Sequence, residues 1–212
     1  MSTTTQHTAY VALALCAVVG ASCGSYVRDQ GTGATQATVA TLEAAPGAEP
    51  NKFGGTLSSD VVTNVRKNVN GVIQIVPTIF GDAGRVTMSL MLKDPGPPGS
   101  PTTPTAVNAV TFTHYRVTYT RTDGRNVPGV DVPYSFDSAV TFTATPGETV
   151  QAGFEIVRNT AKEEAPLRAL VTNPTLIGTI AEVTFYGKDR SGHDVLASGS
   201  IGITFGNFGD PD

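Results

Sequence analysis

From residue 38 onward, apolar and polar side chains alternate along this chain with a period of two, the pattern of strands with one face in a core and one in water. Val86, Met88, Leu90 and Leu92 alternate with Thr87, Ser89, Met91 and Lys93. Tyr115, Val117 and Tyr119 alternate with Arg116, Thr118 and Thr120. Val140, Phe142 and Ala144 form a third set, and Val150, Ala152, Phe154 and Ile156 a fourth. Ala181, Val183 and Phe185 face away from Glu182, Thr184 and Tyr186; Val195, Ala197, Gly199, Ile201, Ile203 and Phe205 complete the series. Thr38–Leu42 reads as an edge strand, and Ile73 and Ile75 suggest another, which Pro77 confines to an edge. One apolar face per strand calls for two antiparallel sheets packed face to face, an all-β sandwich. Phe154 and Phe185 are then expected inside it, on facing or adjacent strands.

The punctuation between these segments agrees. Thr122-Asp123-Gly124-Arg125 holds an Asp-Gly pair, which favours a type I′ hairpin because both central residues need positive φ. Thr145-Pro146-Gly147-Glu148 separates the third and fourth strands, and Asp189-Arg190-Ser191-Gly192-His193 the last two. The apolar phase shifts between Phe112 and Tyr115, which predicts a bulge or strand start at His114. Lys162–Val171 is the one helical stretch, with Leu167, Leu170 and Val171 on a shared face and Pro166 in the first turn. Five prolines between Asp94 and Thr105 predict a stiff, extended surface loop.

Ahead of the alternating region, Ala9–Ala21 is an apolar run of 13 residues. That suits the apolar region of a signal peptide and falls short of the ~20 residues that cross a bilayer. The run ends in Gly20-Ala21-Ser22-Cys23, a window that resembles a bacterial lipobox. The resemblance implies cleavage before Cys23 and acylation of that cysteine as the new N-terminus. Gly24, standing where Asp favours inner-membrane retention in enteric bacteria, then points to the outer membrane. Without acylation the same run implies a periplasmic or secreted protein. Residues 24 to 37 are small and polar and read as a flexible tether. The expected organisation is therefore a lipoprotein signal peptide over 1–22, a lipidated Cys23 with its tether over 23–37, and a sandwich over 38–212.

Two stretches carry a resemblance. Tyr115-Arg-Val-Thr-Tyr-Thr-Arg-Thr-Asp-Gly124 looks like the third strand and following hairpin of a fibronectin III-like domain. Ala181-Glu-Val-Thr-Phe-Tyr-Gly-Lys-Asp-Arg-Ser-Gly192 is similar to the penultimate strand and last hairpin of many bacterial Ig-like domains. Together they imply an Ig-like or fibronectin III-like domain of a bacterial envelope lipoprotein. The chain has no Trp and no intersheet cysteine pair, which separates it from antibody-type domains. It also holds more sequence before residue 84 than this fold needs.

Composition narrows the function classes. Net charge is −4, with acidic and basic residues interspersed. Nucleic acid is not an expected partner, because nothing resembles the basic patch that phosphate contacts require. Cys16 and Cys23 are the only cysteines, so a chain beginning at Cys23 holds no intramolecular disulfide and stands on its core. A domain of ~150 residues can do so, since it buries about 68–70% of its unfolded surface.

Candidate chemistry is sparse. After Cys23 the only histidines are His114 and His193, and no nucleophile elbow or zinc-binding helix occurs. Glu163 and Glu164 are adjacent and diverge on a helix or a strand. Asp131 and Asp137 flank a segment of turn formers around Tyr134. Asp189, Asp194 and the Asp210-Pro211-Asp212 tail are oxygen-rich, but none forms a calcium loop. No catalytic residue, metal ligand or cofactor site is predicted. The expected function is a non-enzymatic binding or structural module at a membrane surface. Its partners would be the membrane, through Cys23, and an envelope protein or glycan. An alternative is a carbohydrate-binding module that stacks sugars on Tyr134, Tyr119 or Tyr186; a second is a small exported hydrolase. An exposed aromatic row would favour sugar, an exposed apolar patch a protein partner, and a deep pocket with converging carboxylates a hydrolase.

Overall fold

Each alternating segment from Val86 onward forms a strand with its apolar phase turned inward, whereas the strand suggested by Ile73 and Ile75 forms with those side chains exposed. The computed structural model describes residues 33–210, so Cys23 and the signal segment lie outside the described residues. Ten strands follow in order: β1 (Thr35–Ala45), β2 (Thr56–Asp60), β3 (Thr63–Val69), β4 (Val72–Thr78), β5 (Asp82–Leu92), β6 (Val110–Thr120), β7 (Phe136–Ala144), β8 (Thr149–Val157), β9 (Ile177–Asp189) and β10 (Asp194–Gly206). One sheet has the order β1-β5-β8 and the other β2-β10-β9-β6-β7. β9 is the penultimate strand, and Asp189–His193 turns it into β10. β1 begins at Thr35, inside the stretch whose composition reads as tether, and its first residue is already paired with Leu92.

The two sheets close over a single apolar core. Val86, Met88, Leu90, Val117, Val183 and Phe185 are fully buried. Phe185 of one sheet meets Phe154 of the other edge-to-face, with centroids 5.3 Å apart. Phe154 itself is half-buried, at the margin of the core. Such ring pairs contribute about 0.5–1.5 kcal/mol beyond the area they bury. Polar ends are satisfied across the interface: Tyr115 Oη donates to the Glu155 carbonyl at 2.9 Å, and Tyr119 Oη to that of Ile156 at 2.6 Å. The expected bulge is present, where β6 shifts register against both neighbours between Phe112 and His114.

Four features differ from the sequence reading. β2 pairs parallel with β10, so the large sheet is not wholly antiparallel. β3 and β4 form a separate two-stranded sheet, which accounts for the extra sequence before residue 84. Asp123-Gly124 is not a type I′ turn, because only Gly124 has positive φ (82°); it sits in a long loop from Arg121 to Ser135. That loop is pinned by its own ion pairs, Asp123 with Arg121 and Arg125, so the local Asp-Gly preference does not set its path. The helical stretch is broken into α1 (Asn159–Lys162) and a 3₁₀ segment, Leu167–Val171. Leu167 and Leu170 are buried while Val171 is exposed, as a 3₁₀ repeat of three residues per turn requires.

Register fixes two poles. β1 spans roughly 35 Å at ~3.3 Å per residue. At one end Thr35 pairs with Leu92, and Gly33 lies beside His193 of the last turn. At the other end Ala45 pairs with Ala83, near the start of β5, the end of β10 and the base of the β3–β4 hairpin. The described chain therefore enters at the first pole and carries its hairpin at the second.

Candidate functional site

The three tyrosines proposed as sugar platforms fall in three unrelated places. Tyr119 is buried against Phe205 and bonded to the Ile156 carbonyl. Burial first, and the nearby Asp82 charge next, push its phenol well above the ordinary range. It cannot meet a ligand. Its place in the Tyr115-x-Val117-x-Tyr119 alternation already requires an inward side chain. Tyr134 is exposed on the loop before β7 and packs on Gly129, whose φ of 75° and missing Cβ leave room for the ring. Tyr186 stands half-buried on the outer face of β9, stacked on its cross-strand neighbour His114 at 4.6 Å and 2° between planes. No aromatic row forms.

The His114–Tyr186 stack lines a groove of about 450 Å³ on the outer face of the large sheet, with Thr111, Lys188, Asp194 and Leu196. Lys188 pairs with Asp194 on its rim, which Asp189 and Arg190 also line. Both histidines are accounted for locally. His193 Nδ1 lies 3.0 Å from Asp189 Oδ2. Burial would raise the Asp189 carboxyl, but backbone N–H groups of His193 and Ser191 and the imidazole outweigh it and hold it below its usual value.

The acidic candidates do not converge. Asp131 accepts from the Val127 N–H, Asp137 pairs with Arg116, and Asp210 accepts from Asn64. Glu163 and Glu164 are exposed. Among the described residues no group of three or more His, Cys, Asp or Glu side chains is placed to hold a metal ion. No described helix is long and apolar enough to cross a membrane.

Two features escaped the sequence reading. The first is a buried ion pair near the hairpin base. Lys162 Nζ lies 3.0 and 2.9 Å from the two Asp82 oxygens and donates to the Asp60 carbonyl at 2.8 Å. Ser59 Oγ and the Gly47 N–H complete the carboxylate's partners, at 2.6 and 2.9 Å. Both charged side chains are 1% exposed. Burial pushes the Asp82 carboxyl up, against the Lys162 charge and the hydrogen bonds that lower it. The group ties α1 to the ends of β2 and β5, and no local sequence pattern marks it.

The second is the hairpin itself. Asn70 and Gly71 both have positive φ, 53° and 84°, and join β3 to β4 by a two-residue turn. The Asn68 side chain accepts from the Gly71 N–H at 2.9 Å. An Asn-Gly pair between apolar runs is a strong hairpin signal, and it was available in Val69-Asn70-Gly71-Val72. Val72, Ile73 and Ile75 are 61, 70 and 67% exposed, among the most open large apolar side chains described. The loop before β7 adds Val127 and Val130 at the same pole. Of the exposed large apolar side chains described, only Met91 and Val107 lie toward the pole where the chain enters. No family model, curated protein or solved structure matches the chain.

Proposed function

We propose that this chain is a non-enzymatic module of the cell envelope, held to a membrane surface by an acylated Cys23 and offering its far pole to a protein partner. The observation that carries this reading is the one-sided distribution of exposed apolar side chains. They gather opposite the pole where the described chain begins, which is where a tethered module faces away from its membrane. Exposed apolar surface of this kind marks contact with other molecules. The sheet orders support an Ig-like plan, with β1, β5 and β8 facing β10, β9, β6 and β7 as A, B and E face G, F, C and C′. Outer-membrane placement follows from Gly24, as an expectation.

Photo-crosslinking in the native host tests it. A photoreactive residue replacing Ile73 should give discrete adducts in the envelope fraction, and one replacing Met91 should give none. Equal labelling from both positions, or none from Ile73, would overturn the reading.

The His114–Tyr186 groove favours a second reading, a carbohydrate-binding module. Affinity for envelope polysaccharide that falls at least tenfold in Tyr186→Ala would support it. Affinity unchanged by that substitution would dismiss it.

A further inference from the structure

The exposed edge of β4 is self-complementary, and we infer that two copies of this chain join through it. The inference rests on the reading that the apolar pole is a protein-contact surface, and it names the partner. Val72-Ile73-Gln74-Ile75-Val76 reads the same in both directions about Gln74. A two-fold interface needs such a patch, because each residue must meet its counterpart from the opposite side. Antiparallel pairing centred on Gln74 sets Val72 against Val76 of the second copy and Ile73 against Ile75.

The backbone is arranged for the same register. In a two-residue hairpin the residues flanking the turn, here Val69 and Val72, form a hydrogen-bonded pair. Backbone groups of Val72, Gln74 and Val76 then face β3, and those of Ile73 and Ile75 face outward. In the proposed dimer Ile73 and Ile75 of opposite copies exchange N–H and C=O bonds, and Gln74 meets Gln74 at a non-hydrogen-bonded position. Pro77, which lacks an N–H, falls just beyond the paired segment, opposite Gly71 of the other copy. Its missing donor therefore costs nothing.

Side chains fit as well. Ile73 and Ile75 share one face, so the dimer gathers four isoleucines there. No charge occurs between Lys67 and Asp82, so nothing on β4 repels a second copy. The edge of β3 carries Arg66 and Lys67, the residue types that protect an edge from pairing. Among the described residues the hairpin pairs with no other strand. Two strands alone are marginal in water, whereas a continuous four-stranded sheet is not.

The test is disulfide trapping of the full chain in its native membranes, with a mild oxidant. Gln74→Cys should yield a species of twice the monomer mass on non-reducing gels, because its counterpart lies at the two-fold axis. Val72→Cys should remain monomeric, since the strand rise puts its own counterpart ~13 Å away, beyond the ~7 Å that a disulfide can bridge. Adding Ile75→Lys to Gln74→Cys should cut the linked species at least tenfold. The wild-type chain alongside reports any linkage through native thiols. Linkage from Gln74→Cys no greater than wild type, or equal linkage from Val72→Cys, would overturn the dimer. If Ile73 then still photo-crosslinks to a protein of another mass, the partner-binding reading stands and only the self-pairing fails.

Discussion

Replacing Lys162 by Met probes the buried ion pair with little change of side-chain size. The substitution removes an ammonium that holds both Asp82 oxygens and the Asp60 carbonyl. What remains around Asp82 is the Ser59 hydroxyl and the Gly47 N–H, two neutral donors in a site closed to water. Breaking a buried pair from one side typically costs about 3–5 kcal/mol, against a total stability of about 5–15 kcal/mol. Burial raises the Asp82 carboxyl above its unfolded value, so the native chain holds this proton more tightly than the unfolded chain. Its contribution to stability is then complete below the ordinary carboxylate range and is lost as pH rises through the folded value. Lys162 limits that loss, and Met cannot. Toward pH 4 the variant's carboxyl, raised by burial and no longer opposed by Lys162, should take up its proton, and the deficit should shrink toward the lost bond with Asp60, about 1–2 kcal/mol. At pH 8 it should reach about 3–5 kcal/mol. Urea unfolding followed by circular dichroism at both pH values measures the two deficits. Equal deficits would refute the reasoning, because the penalty would then not come from an uncompensated carboxylate.

Other outcomes follow from the core, the loops and the N-terminal cysteine. Phe185→Ala should cost about 3–5 kcal/mol in unfolding free energy, and Phe154→Ala distinctly less, because only the first ring is fully enclosed. Gly124→Val should lower the urea midpoint through strain at a φ of 82°, a loss of about 1–3 kcal/mol in unfolding free energy. Deleting Pro97 to Thr102 should move the same midpoint far less, since all six residues are exposed. Cys23→Ser should release the protein from the membrane fraction, and the intact mass of the native protein should show acyl groups on residue 23. An unmodified thiol there would leave a secreted β-domain.

How much of this was readable without coordinates depends on the range of the interaction. The strands were legible because one buried face forces alternation, and Val86 to Leu90 or Ala181 to Phe185 repeat it without interruption. The same logic located the bulge at His114. Tyr119, offered as a platform, sits on the inward phase of that same alternation, and the structure buries it. The parallel partnership of β2 with β10 was not legible, since Thr56–Asp60 has too few residues to show a period. Lys162 and Asp82 lie far apart in sequence, and only the closed sandwich brings them within 3 Å. The apolar side chains of β4 are plain in the sequence; that they face water is not, because alternation reports a buried face only when something covers it.

The path of the chain between its two poles has a mechanical consequence. β1 runs from the end where the described residues begin to the opposite end, and after the turn near Gly54 the chain joins the other sheet as β2. A pull between the N-terminal side and anything gripping the hairpin acts along these strands. Interstrand hydrogen bonds lie across that direction, so the β1–β5 and β2–β10 ladders bear the force in shear, with many bonds sharing it at once. Peeling, which breaks bonds one after another, is not the geometry on offer. Because the two ladders belong to different sheets and carry the load in series, the weaker of them sets the force at which the hairpin is drawn away from the N-terminal end. Under tension the useful lifetime of such a link is set by its rate of forced unfolding and not by its equilibrium stability.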